Sequence, residues 1–160
     1  MKHEACPPSR RSVLGFVAAA VLIAPVAAAF AEELAVTVHK DPNCGCCAGW
    51  VQHLRDAGFV VRVDETADLE SIRSRLGVPA DLTACHTAEV AGYVVEGHVP
   101  AAAIRRLLAE RPNAKGVAVP GMPIGSPGME GGRPAAYSVM LFGADGQKTF
   151  MRFVGDRAVG

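Results

Sequence analysis

The stretch LAVTVHKDPNCGCCAGWVQHL, residues 34–54, decides how the rest of the chain is read. Leu34 to His39 is short and rich in β-branched residues, which predicts a strand. Pro42, Asn43 and Gly45 then break the chain into a turn. Cys47, Trp50, Val51 and Leu54 follow at i, i+3, i+4 and i+7, one face of a helix. Between strand and helix sit Cys44, Cys46 and Cys47, three thiols in four positions. They lie too close together for three independent cross-links, so the cluster points to chemistry rather than to stapling.

The pattern continues outward from that unit. Gly58 is placed to end the helix, and Phe59 to Val63 reads as a second strand. Asp68 is placed to cap a helix with the apolar face Leu69, Ile72 and Leu76, stopped by Gly77 and Pro79. Residues 85–99, CHTAEVAGYVVEGHV, read as a hairpin turning at Ala91-Gly92. Pro100 is expected at the first position of a third helix that buries Ile104, Leu107 and Leu108. Val117 to Val119 predicts a further strand. Residues 120–134 contain four prolines and five glycines and exclude regular structure. Ala136 to Phe142 and Lys148 to Val154 read as a closing hairpin around Asp145-Gly146. The order is β-α-β-α-β-β-α plus a loop and a hairpin. An α/β fold follows: a thioredoxin-like sheet flanked by helices, with an added C-terminal loop and β-hairpin. A strand, a Cys-bearing turn and a helix open such a fold, and the helix N-terminus favours thiolate.

Residues 1–31 read differently from the rest. A basic start ending in Ser9-Arg10-Arg11-Ser12 is followed by an apolar run from Val13 to Ala24 and by Ala29-Phe30-Ala31. These are the three regions of a cleaved signal peptide. The run is broken by Pro25 and is shorter than the ~20 residues of a spanning helix, so no membrane span is expected after cleavage. The arginine pair resembles a twin-arginine signal, and a Sec signal can carry the same pair. Export of residues 32–160, a single domain, is therefore expected. Removing residues 1–31 takes away Lys2, Arg10, Arg11 and Glu4 and leaves a net charge near −2. There is no basic stripe, and aromatic residues make up only 6%, so nucleic acid is not an expected partner.

Cys6 leaves with the signal, and Cys85 joins the three clustered thiols. A C-x-x-C pair, Cys44 and Cys47, fits a redox dithiol, and it also fits zinc or copper. The third thiol adds capacity for a soft metal such as Cu(I). Cys85-His86 begins the third expected strand, whose start would lie beside the Cys turn. Met122 and Met129 sit in the Gly/Pro loop, where there is little core to fill, and thioether is a Cu(I) donor. Met140 and Met151, in expected strands, read as core. His86 and His98 are further ligand candidates, His39 leads into the turn, and His53 reads as a solvated or packing residue. No nucleophile elbow and no phosphate loop is present. The acids Asp41, Glu65, Glu89 and Glu130 are scattered and read as surface or capping groups.

KDPNCGCCAGW (40–50), CHTAEVAGYVVEGHVPAAAI (85–104) and GVAVPGMPIGSPGME (116–130) together resemble the CopG family of periplasmic copper-resistance proteins. The resemblance runs from about Val36 to Phe153. It implies a metal-binding domain of thioredoxin-like fold holding copper as Cu(I), in a multinuclear thiolate cluster. By position, Cys44, Cys46, Cys47 and Cys85 would be the principal ligands, with Met122, Met129, His86 and His98 adjoining. The implied role is periplasmic copper handling alongside other such proteins, including Cu(I)/Cu(II) interconversion, which would make the protein a copper oxidoreductase. The alternatives are a thiol–disulfide oxidoreductase using Cys44 and Cys47, and a structural four-cysteine zinc site.

Overall fold

The computed structural model describes residues 34–160, and the expected signal peptide lies outside them. The described residues form a mixed α/β fold of one eight-stranded sheet and three helices. In chain order these are β1 (Ala35–Lys40), α1 (Gly45–Asp56), β2 (Val60–Glu65), α2 (Leu69–Leu76), β3 (His86–Val90), β4 (Tyr93–Glu96), α3 (Ala101–Glu110), β5 (Gly116–Ala118), β6 (Ala136–Gly143), β7 (Gly146–Val154) and β8 (Arg157–Ala158). A 3₁₀ turn, Ala80–Leu82, joins α2 to β3.

The sheet order is β2-β1-β3-β4-β5-β6-β7-β8. β1 runs parallel to β2, and β3 runs antiparallel to both β1 and β4. β5 is parallel to β4, so α3 is the crossover that connects them. The hairpin β6–β7 adds on beyond β5, with a bulge between Val139 and Met140. No helix among the described residues is long and apolar enough to cross a membrane.

Strand periodicity distributes side chains between two faces. Val36, Val38, Val95, Val117, Val139 and Leu141 point to one face, where they meet Trp50, Val51 and Leu54 of α1 and Ile104 and Leu107 of α3. The alternate residues Val94, Ala118 and Phe142 point to the other face, under Leu76 and Ile72 of α2. The result is three layers with helices on both sides.

Local chemistry explains the boundaries. The Asp68 side chain accepts from the Ser71 N–H at the start of α2, and Gly77 closes that helix in the left-handed region at φ 68°. Ala91 (φ 46°) and Gly92 (φ 85°) make the β3–β4 turn. Pro100 precedes α3 as its N-cap instead of occupying the first helical position. Its backbone is extended (ψ 142°) while its carbonyl already accepts from Ala103 and Ile104, so the helix starts one residue later. The C-terminal hairpin turns at Ala144-Asp145, one residue earlier than expected, because Gly143 pairs with Gly146.

Candidate metal centre

The turn after β1 is built by Asp41. Its carboxylate accepts from the Asn43 N–H at 2.8 Å and its carbonyl accepts from the Cys44 N–H at 3.1 Å. Cys44 is thereby set as the N-cap of α1 with no side-chain hydrogen bond to the first turn. The free N–H groups of a helix N-terminus and its positive dipole end therefore face the thiols. No acidic residue occupies that first turn to compete.

Register brings Cys85 to the same place. Lys40, the last residue of β1, pairs with His86, the first of β3. Cys85 therefore arrives beside the turn although it lies 38 positions after Cys47. Cys44 Sγ lies 3.5 Å from Cys46 Sγ, and Cys46 Sγ lies 3.9 Å from Cys85 Sγ. The sulfurs of Cys44, Cys46 and Cys85 all fall within 4.8 Å of one another. Two thiolates on one tetrahedral ion at a metal–sulfur distance of ~2.3 Å would be about 3.8 Å apart. The spacing and the all-sulfur donor set fit a soft metal ion. Cys47 is fully buried and is joined to Cys44 in a disulfide, while Cys46 and Cys85 are free thiols. Burial pushes the Cys85 thiol up to about 11, and the neighbouring Cys46 pushes the same way.

Cys85 is held by groups that sequence reading missed. Glu96 is fully buried in β4. Its Oε1 accepts from Ala84 N–H (2.7 Å) and Arg73 Nε (3.1 Å), and its Oε2 accepts from the Thr87 hydroxyl (2.6 Å). Arg73, from α2, also donates to the Ala84 carbonyl. Residues 84 and 87 are both clamped, with Cys85 between them. Burial raises the Glu96 carboxyl above its usual range despite these bonds. The signal in the sequence was a glutamate ending the apolar run Tyr-Val-Val.

His86 and His98 are both fully buried. The His86 ring lies between Trp50, at a centroid distance of 4.3 Å, and the edge-on ring of His98, at 5.0 Å. His98 Nδ1–H donates to the Pro127 carbonyl at 2.9 Å. His98 Nε2 and both nitrogens of His86 have no hydrogen-bond partner among the described residues. Buried polar atoms are normally paired, so these three imidazole nitrogens, two of them on the residue after Cys85 and one on the ring packed against it, fit a missing ligand. Burial, aided by His98, holds His86 down to about 3, so it is a neutral imidazole with a free lone pair.

The Gly/Pro loop closes over α1. A Cβ on Gly128 would stand 2.5 Å from the Cys46 carbonyl oxygen and 2.7 Å from Trp50 N, so only glycine permits this approach. Met129, the next residue, is half-buried, whereas Met122 is 54% exposed. His39 is committed elsewhere, with Nδ1 3.1 Å from Asp64 and Nε2 3.1 Å from Glu89. His53 is neither free nor merely packed: its Nε2 accepts from Ala101 N–H at 3.0 Å, at the start of α3. The four scattered acids serve turns and pairs. Asp41 and Glu130 accept from backbone N–H groups, and Glu65 and Glu89 face Lys40 and His39.

The family described as "Protein of unknown function, DUF411" matches residues 82–129. Among curated proteins no match is found. Two solved structures are similar over most of the chain. Copper resistance protein CopG, form 1, is 48% identical with a TM-score of 0.73, over 78% of this chain and 100% of that one. Form 2 is 48% identical with a TM-score of 0.71, over 74% of this chain and 97% of that one.

Proposed function

The chain belongs to the CopG copper resistance family, and from that premise we propose that it is an exported copper-binding protein holding Cu(I) on Cys44, Cys46, Cys47 and Cys85. The observation that carries this reading is the convergence of three sulfurs from two distant segments to within 4.8 Å. Thiolate is the ligand Cu(I) prefers, and several thiolates exceed the charge of one ion. The α1 N-terminus, or sharing of several copper ions, offsets that excess. His86, His98 and Met129 are the adjoining donors, and Met122 reaches the site only if its exposed side chain turns inward. The β2-β1-β3-β4 order supports a thioredoxin-like core. The signal features of residues 1–31 support a periplasmic location, copper-handling proteins there being the partners. Neutral imidazoles beside thiolates also provide donors for Cu(II), which supports interconversion of the two oxidation states.

Anaerobic Cu(I) titration of Cys85→Ser and Cys44→Ser tests the reading. Each variant is expected to lose stoichiometry or at least ten-fold in affinity. Unchanged binding in both, or a preference for Zn²⁺ over Cu(I), overturns it. The competing thiol–disulfide reading has the Cys44–Cys47 bond in its favour. It predicts metal-free dithiol turnover on a disulfide substrate that survives Cys85→Ser.

A further inference from the structure

The four cysteines are not equivalent. Cys44 and Cys47 are bonded to each other, and Cys46 and Cys85 face each other as free thiols at 3.9 Å. A disulfide sulfur carries no charge and is a poor ligand, since metals are held by thiolate. The knot in this state offers two thiols where the reduced state offers four. Internal exchange cannot change that number. If Cys46, 3.5 Å away, attacked Cys44, the bond would move to Cys44–Cys46 and release Cys47, and two thiols would still remain. Only electrons from outside open the full set.

We propose that the Cys44–Cys47 disulfide is a redox gate on copper loading, opened by a dithiol partner that attacks at Cys44. This rests on the copper-binding reading above and names what must act before copper is bound. Exposure selects the sulfur that is attacked. Cys47 is wholly buried, with its sulfur 3.7 Å from the Cys85 carbonyl, whereas Cys44 is partly exposed. One partner thiolate bonds to Cys44 Sγ, the Cys44–Cys47 bond breaks, and Cys47 leaves as thiolate. The partner's second thiolate then attacks its own sulfur in the mixed disulfide, and Cys44 leaves as thiolate. Two electrons pass to the protein, the partner ends as a disulfide, and its two thiol protons are released or pass to Cys44 and Cys47. Cu(I) binding then takes up the freed thiolates.

The test compares one preparation in two states. Full-length protein purified in air is divided, and half is reduced with dithiothreitol and desalted anaerobically. Counting thiols after denaturation should find two more in the reduced half. Cu(I) is then titrated into both halves against a colorimetric Cu(I) chelator. The reduced half should bind more copper, or bind it at least ten-fold more tightly. Equal stoichiometry and affinity in the two halves overturns the gate and leaves the copper reading standing. Failure of both halves to bind copper overturns the copper reading itself. Two further measurements address the route. Dithiothreitol should open the bond at least ten-fold faster than a monothiol at equal thiol concentration, and equal rates overturn the dithiol partner. In a Cys46→Ser, Cys47→Ala variant, which removes the thiol 3.5 Å from Cys44 that would otherwise resolve the adduct, glutathione disulfide should leave its adduct on Cys44, and an adduct on Cys85 instead overturns Cys44 as the point of attack.

Discussion

At the residue scale, the centre depends on a carboxylate that touches no sulfur. Glu96 satisfies the Ala84 N–H, the Thr87 hydroxyl and Arg73 together, so the chain on both sides of Cys85 is fixed. Removing one partner of a buried ion pair leaves the other uncompensated, at a cost of about 3–5 kcal/mol. Glu96→Leu strands Arg73, 14% exposed, together with two further donors. It should lower the unfolding free energy from urea titration by a margin of that order and speed alkylation of Cys85. Glu96→Gln keeps the shape and one acceptor oxygen for Ala84 and Arg73, while its NH2 can donate to the Thr87 hydroxyl, which also accepts. It should fall less than half as far and retain slow alkylation. If Leu and Gln behave alike, the clamp does not hold Cys85. His98 shows the same economy: one nitrogen anchors the Gly/Pro loop through Pro127, and the other stays available.

At the element scale, the contact that matters is between the Gly/Pro loop and the first turns of α1. Gly128 has φ 85° and lies against Cys46 and Trp50 backbone atoms. Gly128→Ala therefore combines backbone strain with a clash against main chain that cannot move aside. The loop should lift. Hydrogen–deuterium exchange should show lost protection at Gly125 and Met129, whose N–H groups bond within the loop, while the sheet stays protected. Unchanged exchange would mean that the loop is not seated by this contact. A Cβ on Gly49 meets Gly128 Cα at 2.9 Å, and its conformation is helical, so Gly49→Ala should have a milder effect. Local chemistry of this kind is what the sequence made readable. The Asp68 cap with Gly77, the Ala91-Gly92 turn and the Cys47-Trp50-Val51-Leu54 face all follow from spacing and residue type. The short β8 and the Glu96–Arg73 clamp were not readable, because each depends on which segments become neighbours. The Cys44–Cys47 bond was open for a different reason: the pair was visible, but its redox state is set by electrons rather than by sequence. His53 was misread because a helix-interior histidine gives no local sign that it will accept from the N–H of another helix.

At the scale of the whole molecule, the sheet buries histidine along with its apolar core, and that makes the metal-free protein sensitive to acid. His86 is held down to about 3 by burial, against an ordinary value of 6.5, and burial also lowers His98 and His53. Between those limits the unfolded chain binds a proton at His86 that the folded protein refuses. Stability therefore falls as pH drops below about 6.5, by at most about 1.4 kcal/mol per pH unit for each such histidine. Asp68 and Glu130, held below the usual carboxylate range, begin to act only as pH falls through about 4.5, which leaves the higher window to the histidines. Glu96 works in the opposite sense, because a raised carboxyl binds its proton more readily in the folded state. A matched variant cancels every group except the one of interest. His86→Phe replaces the ring with one that can still stack between Trp50 and His98. Urea unfolding of the metal-free protein from pH 7.5 to 4.5 should show the parent losing stability more steeply than His86→Phe, with the two curves diverging from about pH 6.5 downward. Parallel curves would mean that His86 gains its proton as readily in the folded protein as in the unfolded chain, and the sealed imidazole pair would not be sealed.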